Sequence, residues 1–131
     1  MLIIEKNKTI SIEEMSAVFK NSGIRRPIHD KQRLKRMRDN ATILYTAWQD
    51  GQIVGLLRGV SDGSYCCFIS DLAVDKSYQR QGIGKKLMTA LKQDLGPKIS
   101  LVLLAAPEAM AYYPKLGFEQ VTAAFKVPRK Y

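Results

Sequence analysis

Val74–Met88 reads VDKSYQRQGIGKKLM and lies between a strand-like apolar run and an amphipathic helix. Gly82, Gly84, Arg80, Lys85 and Lys86 are gathered at the point where one element hands over to the next. A helix start carries unpaired N–H groups and a partial positive charge of roughly half a unit, and glycines let an anion come close to the backbone. The spacing puts Gly82 and Gly84 at that start, so the amides from Gln81 to Lys85 converge while Arg80 and Lys85 add charge. The stretch is not a Walker loop, which needs four residues between its glycine and Gly-Lys-Ser/Thr. It also lacks the third glycine of a dinucleotide fingerprint. From these residues alone two readings stay open: an anion cradle, or glycines that merely permit a tight strand-to-helix turn.

On either side of this corner the chain punctuates itself. The helix from about Ile83 to Leu95 has one apolar stripe, Ile83, Leu87, Met88, Leu91 and Leu95, with Lys85, Lys86, Lys92 and Gln93 outward. Gly96-Pro97 ends it, and ISLVLLA, Ile99 to Ala105, is apolar on both faces, which predicts a mid-sheet strand parallel to its predecessor. Pro107 and Glu108 open a last predicted helix, Gly117 closes it, and FEQVTAAFKV reads as a final strand. Upstream, ATILYTAWQ, QIVGLLRGV and SYCCFISDLAV are joined by Asp50-Gly51 and Asp62-Gly63, the signals of an antiparallel meander. At the N-terminal end, LII predicts a first strand. Ser11 with Glu14 forms a capping box for a helix ending at Gly23, and Asp30 caps a second helix carrying Leu34 and Met37.

No repeat or linker interrupts the 131 residues, so residues 1–131 are expected to form a single α/β domain. No run reaches the ~18 apolar residues of a membrane span, and MLIIEKNKTI has no signal-peptide pattern; the expectation is a cytoplasmic protein without a membrane partner. Adjacent Cys66 and Cys67 point to opposite faces of a strand, and with a single histidine, His29, no metal site is expected. The net charge of +9 is concentrated. Arg25 to Arg38 holds seven cations against Asp30 alone, which suits a solvated face or an acidic partner; lacking aromatics and a reading motif, the run argues against nucleic acid.

Gln79-Arg-Gln-Gly-Ile-Gly84 matches the Q/R-x-x-G-x-G/A signature of the GNAT superfamily of N-acetyltransferases, and AMAYYPKLGFE, Ala109 to Glu119, resembles that family's late-helix segment. The resemblance runs from about Ala41 to Glu119 and is weak over the first forty residues. It implies a mixed sheet, mostly antiparallel with a central splayed parallel pair and helices on both faces, that binds acetyl-coenzyme A in the splay. By that resemblance the backbone of Leu72, Ala73 and Val74 takes the pantetheine arm, and Gln79, Arg80, Gln81, Gly82, Ile83, Gly84 and Lys85 take the diphosphate. A separating parallel pair leaves backbone groups in need of partners, which an amide-bearing arm can supply.

Acetyl transfer to an amine needs a neutral nitrogen, a stabilised oxyanion and a proton for the departing thiolate. Tyr113 matches the family tyrosine that serves the thiolate; Tyr112, about 100° around a helix, is the lesser candidate. Asp71, with its side chain on the opposite face from Leu72, is a candidate base or anchor for a cationic acceptor, or else a structural acid. Two departures stand out: Ala106 where many relatives have asparagine, and Pro114, which should kink the helix beside Tyr113. The implied partner is a small-molecule or peptide amine, with a homodimer expected because sheet edges need cover. The alternative is a noncatalytic module that senses acetyl-coenzyme A or grips an acidic partner.

Overall fold

A computed structural model describes residues 1–130; Tyr131, the last residue of the expected domain, lies outside the described residues. The elements are β1 (Leu2–Lys6), α1 (Ile12–Ser22), α2 (Lys31–Asp39), β2 (Ile43–Gln49), β3 (Gln52–Ser61), β4 (Cys66–Val74), α3 (Ile83–Leu95) and β5 (Ser100–Leu103). The strands form one mixed sheet in chain order, antiparallel except for the parallel β4–β5 pair that α3 connects. Local signals set the boundaries. The Ser11 hydroxyl accepts from Glu14 N at 3.0 Å while Ser11 N donates to the Glu14 carboxylate at 2.9 Å, closing the capping box. Asp50 (φ 51°) and Gly51 (φ 82°) are both left-handed, as a two-residue hairpin that follows the twist of its strands requires.

Each face of the sheet buries its own cluster. Ile83, Leu87, Met88 and Leu91 of α3 pack on Tyr45, Ala47, Leu57, Cys67 and Ile69. Met15, Val18 and Phe19 of α1 and Leu34 of α2 cover Leu44, Trp48, Leu56 and Ala73 on the other side. No helix among the described residues is long and apolar enough to cross a membrane.

Three expectations for the C-terminal third are corrected. The late helix is replaced by two 3-10 turns, Pro107–Ala109 and Tyr113–Leu116. Each carries its proline at the start, where the missing N–H costs nothing, and Pro114 prevents the turns from merging into one helix. The strand ISLVLLA is an edge strand, not a central one: among the described residues β5 pairs only with β4, and Val102 and Leu104 are exposed. FEQVTAAFKV forms no strand, because a strand needs an edge to pair with and this segment meets none.

Candidate functional site

The site begins where β4 and β5 separate. Cys66 to Ile69 of β4 pair with Ser100 to Leu103 of β5. On the β3 side Gly59 faces Ile69 and Arg58 faces Asp71, so Ser70 is the extra residue of a bulge. From the bulge onward β4 keeps its β3 partner but has none on β5, and Ser70 to Val74 form one wall of a gap. The bulge also changes phase: Cys67 and Ile69 face α3, as do Leu72 and Val74, whereas Asp71 and Ala73 face the α1–α2 side.

This phase change buries Asp71, which is 1% exposed. Its Oδ1 accepts from Arg26 Nε at 2.5 Å and its Oδ2 from Arg58 Nε. The same guanidiniums hold the bulge, Arg26 Nη2 donating to the Ser70 carbonyl and Arg58 Nη2 to the Ser70 hydroxyl, both at 2.9 Å. A buried carboxylate must be paired, and here both oxygens are. Two cations on one anion leave one net positive charge at the head of the gap.

Past Val74 the chain turns sharply. Asp75 N donates to Val54 O at 2.8 Å, the Asp75 carboxylate accepts from Ser77 N, and a 3-10 turn, Lys76–Tyr78, follows. The Gln79 side-chain amide donates to the Val74 carbonyl at 2.9 Å, tying the corner to the end of β4. Arg80 (φ 65°) and Gly82 (φ 79°) are both left-handed; for arginine this conformation costs about 1 to 3 kcal/mol, and such strain gathers at ligand sites. Gly82 has no side chain with which to cap α3, and the first bond of the helix runs from Lys86 N to Gly82 O. The amides of Ile83, Gly84 and Lys85 therefore precede the helical ladder, beside the exposed side chains of Arg80, Lys85 and Lys86.

The two tyrosines close the picture. Their rings meet edge to face at 5.4 Å, and Tyr113 meets Phe118 the same way at 5.7 Å. The Tyr112 hydroxyl stands over Gly84, where a Cβ would collide with it. Burial pushes the Tyr113 phenol above its ordinary pKa; Tyr112 adds to this, and the Arg26 guanidinium acts against it. Tyr113 is thus within electrostatic reach of the Asp71 cluster.

The acetyltransferase (GNAT) domain model matches residues 12–128. The chain belongs to the GNAT acetyltransferase family. Histone acetyltransferase TAP1 of Glycine max is 29% identical across 82% of this chain and 44% of its own length. The chain thus spans less than half of that relative. An uncharacterized N-acetyltransferase, ycf52, of Pyropia yezoensis is 28% identical across 98% of this chain and 78% of its own. The crystal structure of SA2161, a probable acetyltransferase from meticillin-resistant Staphylococcus aureus, has the same fold, with TM-score 0.85 and 24% identity over 100% of both chains.

Within this GNAT fold, Leu72, Ala73 and Val74 lie on the unpaired half of β4, and Gln79 to Lys85 form the corner beside it. Asp71 is buried with each carboxylate oxygen accepting a guanidinium N–H, an arrangement that suits the structural acid among its alternatives. Two residues of the neighbourhood escaped the sequence reading: Arg26 was submerged in the basic run, and Arg58 carried a usable signal as the lone charge inside an apolar strand.

Proposed function

We propose that the chain transfers the acetyl group of acetyl-coenzyme A to the nitrogen of an amine, in a complex holding both substrates. The observation that carries this reading is the adjacency of two backbone surfaces, the half of β4 that has no ladder partner on β5 and the first turn of α3, which no side chain caps. Acetyl-coenzyme A fits that chemistry: its amide-bearing arm complements strand groups, and its diphosphate complements N–H groups at a helix start. When bound, it supplies an acetyl group activated as a thioester.

The chain's own residues divide the remaining work. The backbone of Leu72, Ala73 and Val74 orients the arm, and the amides of Gln81, Gly82, Ile83, Gly84 and Lys85 hold the diphosphate, with Arg80 and Lys85 adding charge. Gln79 couples the two surfaces through its bond to Val74 O, so both keep one geometry. Gly84 gives the backbone the clearance that a side chain would take from Tyr112. Tyr113, with its raised pKa, stays protonated at neutral pH and is the proton donor to sulfur.

Asp71 is a positioning residue in this reading. It holds Arg26 and Arg58 on the bulge that opens the gap, and their single excess charge favours negative charge developing at the gap's head. The same charge disfavours an ammonium, so the acceptor enters as the free amine and loses its remaining proton to water. Exposed Arg25, Lys35 and Arg36 favour an acceptor that also carries negative charge. Calorimetric titration with acetyl-coenzyme A, followed by thiol release against a panel of amines, tests the proposal. Saturable binding with amine-dependent thiol release is the expected result. Failure to bind at high micromolar coenzyme contradicts the site, and binding without release from any amine contradicts the transferase.

A further inference from the structure

The two faces of the sheet treat the gap differently. On the α3 side it is closed: Leu72, Val74 and Tyr113 pack against the α3 cluster, and the backbone of Gly84 lies against Leu72. On the other side α1 and α2 stop short. Phe68 stands between Cys67 and Ile69, both of the α3 cluster, so it points to the α1–α2 face, with Val60 across from it on β3 and Val102 across from it on β5. These three are 43%, 49% and 46% exposed, and Leu104, just past the last β4–β5 pair at the second wall of the gap, is 52% exposed. Single exposed apolar side chains are ordinary, whereas a contiguous row beside an opened sheet is a contact surface.

A donor stands at the end of this row. Arg58 shares a face of β3 with Val60, two residues on. Its Nε is committed to Asp71 and its Nη2 to the Ser70 hydroxyl, and Nη1 enters neither bond. Among the described residues no buried side-chain nitrogen lacks a partner, so Nη1 opens to solvent. The guanidinium is thus pinned over Ser70 and Asp71. Leu72, where the coenzyme's arm begins in the reading above, is one residue or about 3.3 Å farther along β4, so an anion held by Arg58 lies only a few ångströms from the nitrogen that attacks. Phe68 lies two residues from Ser70 in the other direction, the reach of one branched or aromatic side chain. The Asp71 cluster has a single excess positive charge, which matches a monoanion such as a carboxylate.

We propose that the acceptor is an apolar α-amino acid: its carboxylate accepts from Arg58 Nη1, its side chain lies on the row of Phe68, Val60 and Val102, and its amine, one carbon from the carboxylate, meets the thioester at Leu72. This rests on acetyl transfer being the reaction and narrows its acceptor to one chemical class. The amine nitrogen forms a bond to the acetyl carbon, the carbon–sulfur bond breaks, the sulfur takes a proton and the nitrogen gives one to water. The products are an N-acetylamino acid and coenzyme A. A polyamine matches neither surface, because its repeated positive charge meets the excess charge of Arg26 and Arg58.

Three measurements on the full chain test it. Thiol release is expected with phenylalanine and leucine, with kcat/KM about tenfold lower or more for alanine, which lacks the apolar body, and for phenethylamine, which lacks the carboxylate; none is expected with spermidine. Phe68→Asp and Val60→Asp, both at exposed positions, are expected to raise the KM for phenylalanine about tenfold while acetyl-coenzyme A affinity and the urea midpoint stay unchanged. NMR titration of phenylalanine into the coenzyme A complex reads acceptor binding without turnover and is expected to shift the amides of Val60, Phe68 and Val102. Release with spermidine or phenethylamine that equals or exceeds release with phenylalanine overturns the amino-acid class and leaves acetyl transfer standing. Coenzyme binding with no release from any amine contradicts transfer and this class together. Phenylalanine that leaves Val60, Phe68 and Val102 unshifted at millimolar concentration overturns the proposal, whichever amine is turned over.

Discussion

Cys66–Ile69 and Asp71–Val74 belong to one strand, yet their surroundings differ in kind. The first half of β4 has a partner on each side; the second has β3 alone, and the bulge at Ser70 separates them. Ordinary side chains hold the first half: Cys67 and Ile69 are buried under α3 and need nothing else. The second half depends on charge, with Asp71 drawing Arg26 and Arg58 onto the bulge. Opening a sheet therefore requires its own supports, since every backbone group released from the ladder must find another partner or a ligand.

The largest expected effect comes from removing that support. Asp71→Ala leaves two partly buried guanidiniums facing each other, and losing one member of such a buried cluster costs about 3 to 5 kcal/mol; urea denaturation measures it. An unchanged midpoint, with activity abolished, would break the comparison by returning Asp71 to the role of base. Next in size, Tyr113→Phe is expected to lower kcat roughly 100-fold or more with coenzyme affinity held, the range for loss of a proton donor, whereas Tyr112→Phe changes it little. Because the Tyr113 pKa is raised, the protonated donor persists as pH rises, and any fall in rate from its ionisation comes above the ordinary phenol range.

Gly82→Val is a smaller test, aimed at the corner. A β-branched residue resists φ 79°, so the turn rearranges and coenzyme affinity is expected to fall about tenfold, or ~1.4 kcal/mol. The smallest effect sharpens the contrast from the paired side of the molecule. The Tyr45 hydroxyl donates to the Asp94 carboxylate, which also takes Lys6, and Tyr45→Phe is expected to cost about 1 kcal/mol of stability with coenzyme affinity untouched. These bonds hold the Asp94 pKa below its ordinary value. Their contribution is thus present at neutral pH and is lost as acid protonates Asp94, which a thermal melt taken against pH reads.

The parts legible in the sequence were those governed by neighbours along the chain. The Asp-Gly turns, the Ser11–Glu14 box, the α3 stripe and the glycine corner each announce themselves within a few residues. The Asp71 cluster does not, since Arg26 lies 45 residues and Arg58 13 residues away, and the bulge that turns Asp71 inward depends on how β3 pairs. The C-terminal third was misread for two physical reasons. Pro114 outweighed a helical pattern, and the strand pattern in FEQVTAAFKV describes an element that pairs with nothing in a single chain.

The central claim is that the freed half of β4 and the first turn of α3 act as one backbone surface for the coenzyme. Amide-resolved NMR titration with coenzyme A tests it most directly. The expected result is a single saturating event that shifts the amides of Leu72 to Val74 and Gln81 to Lys85 together, leaving Cys66 to Ile69 nearly still. Shifts confined to the basic stretch Arg25 to Arg38, or no movement at Gln81 to Lys85 on saturation, would contradict it.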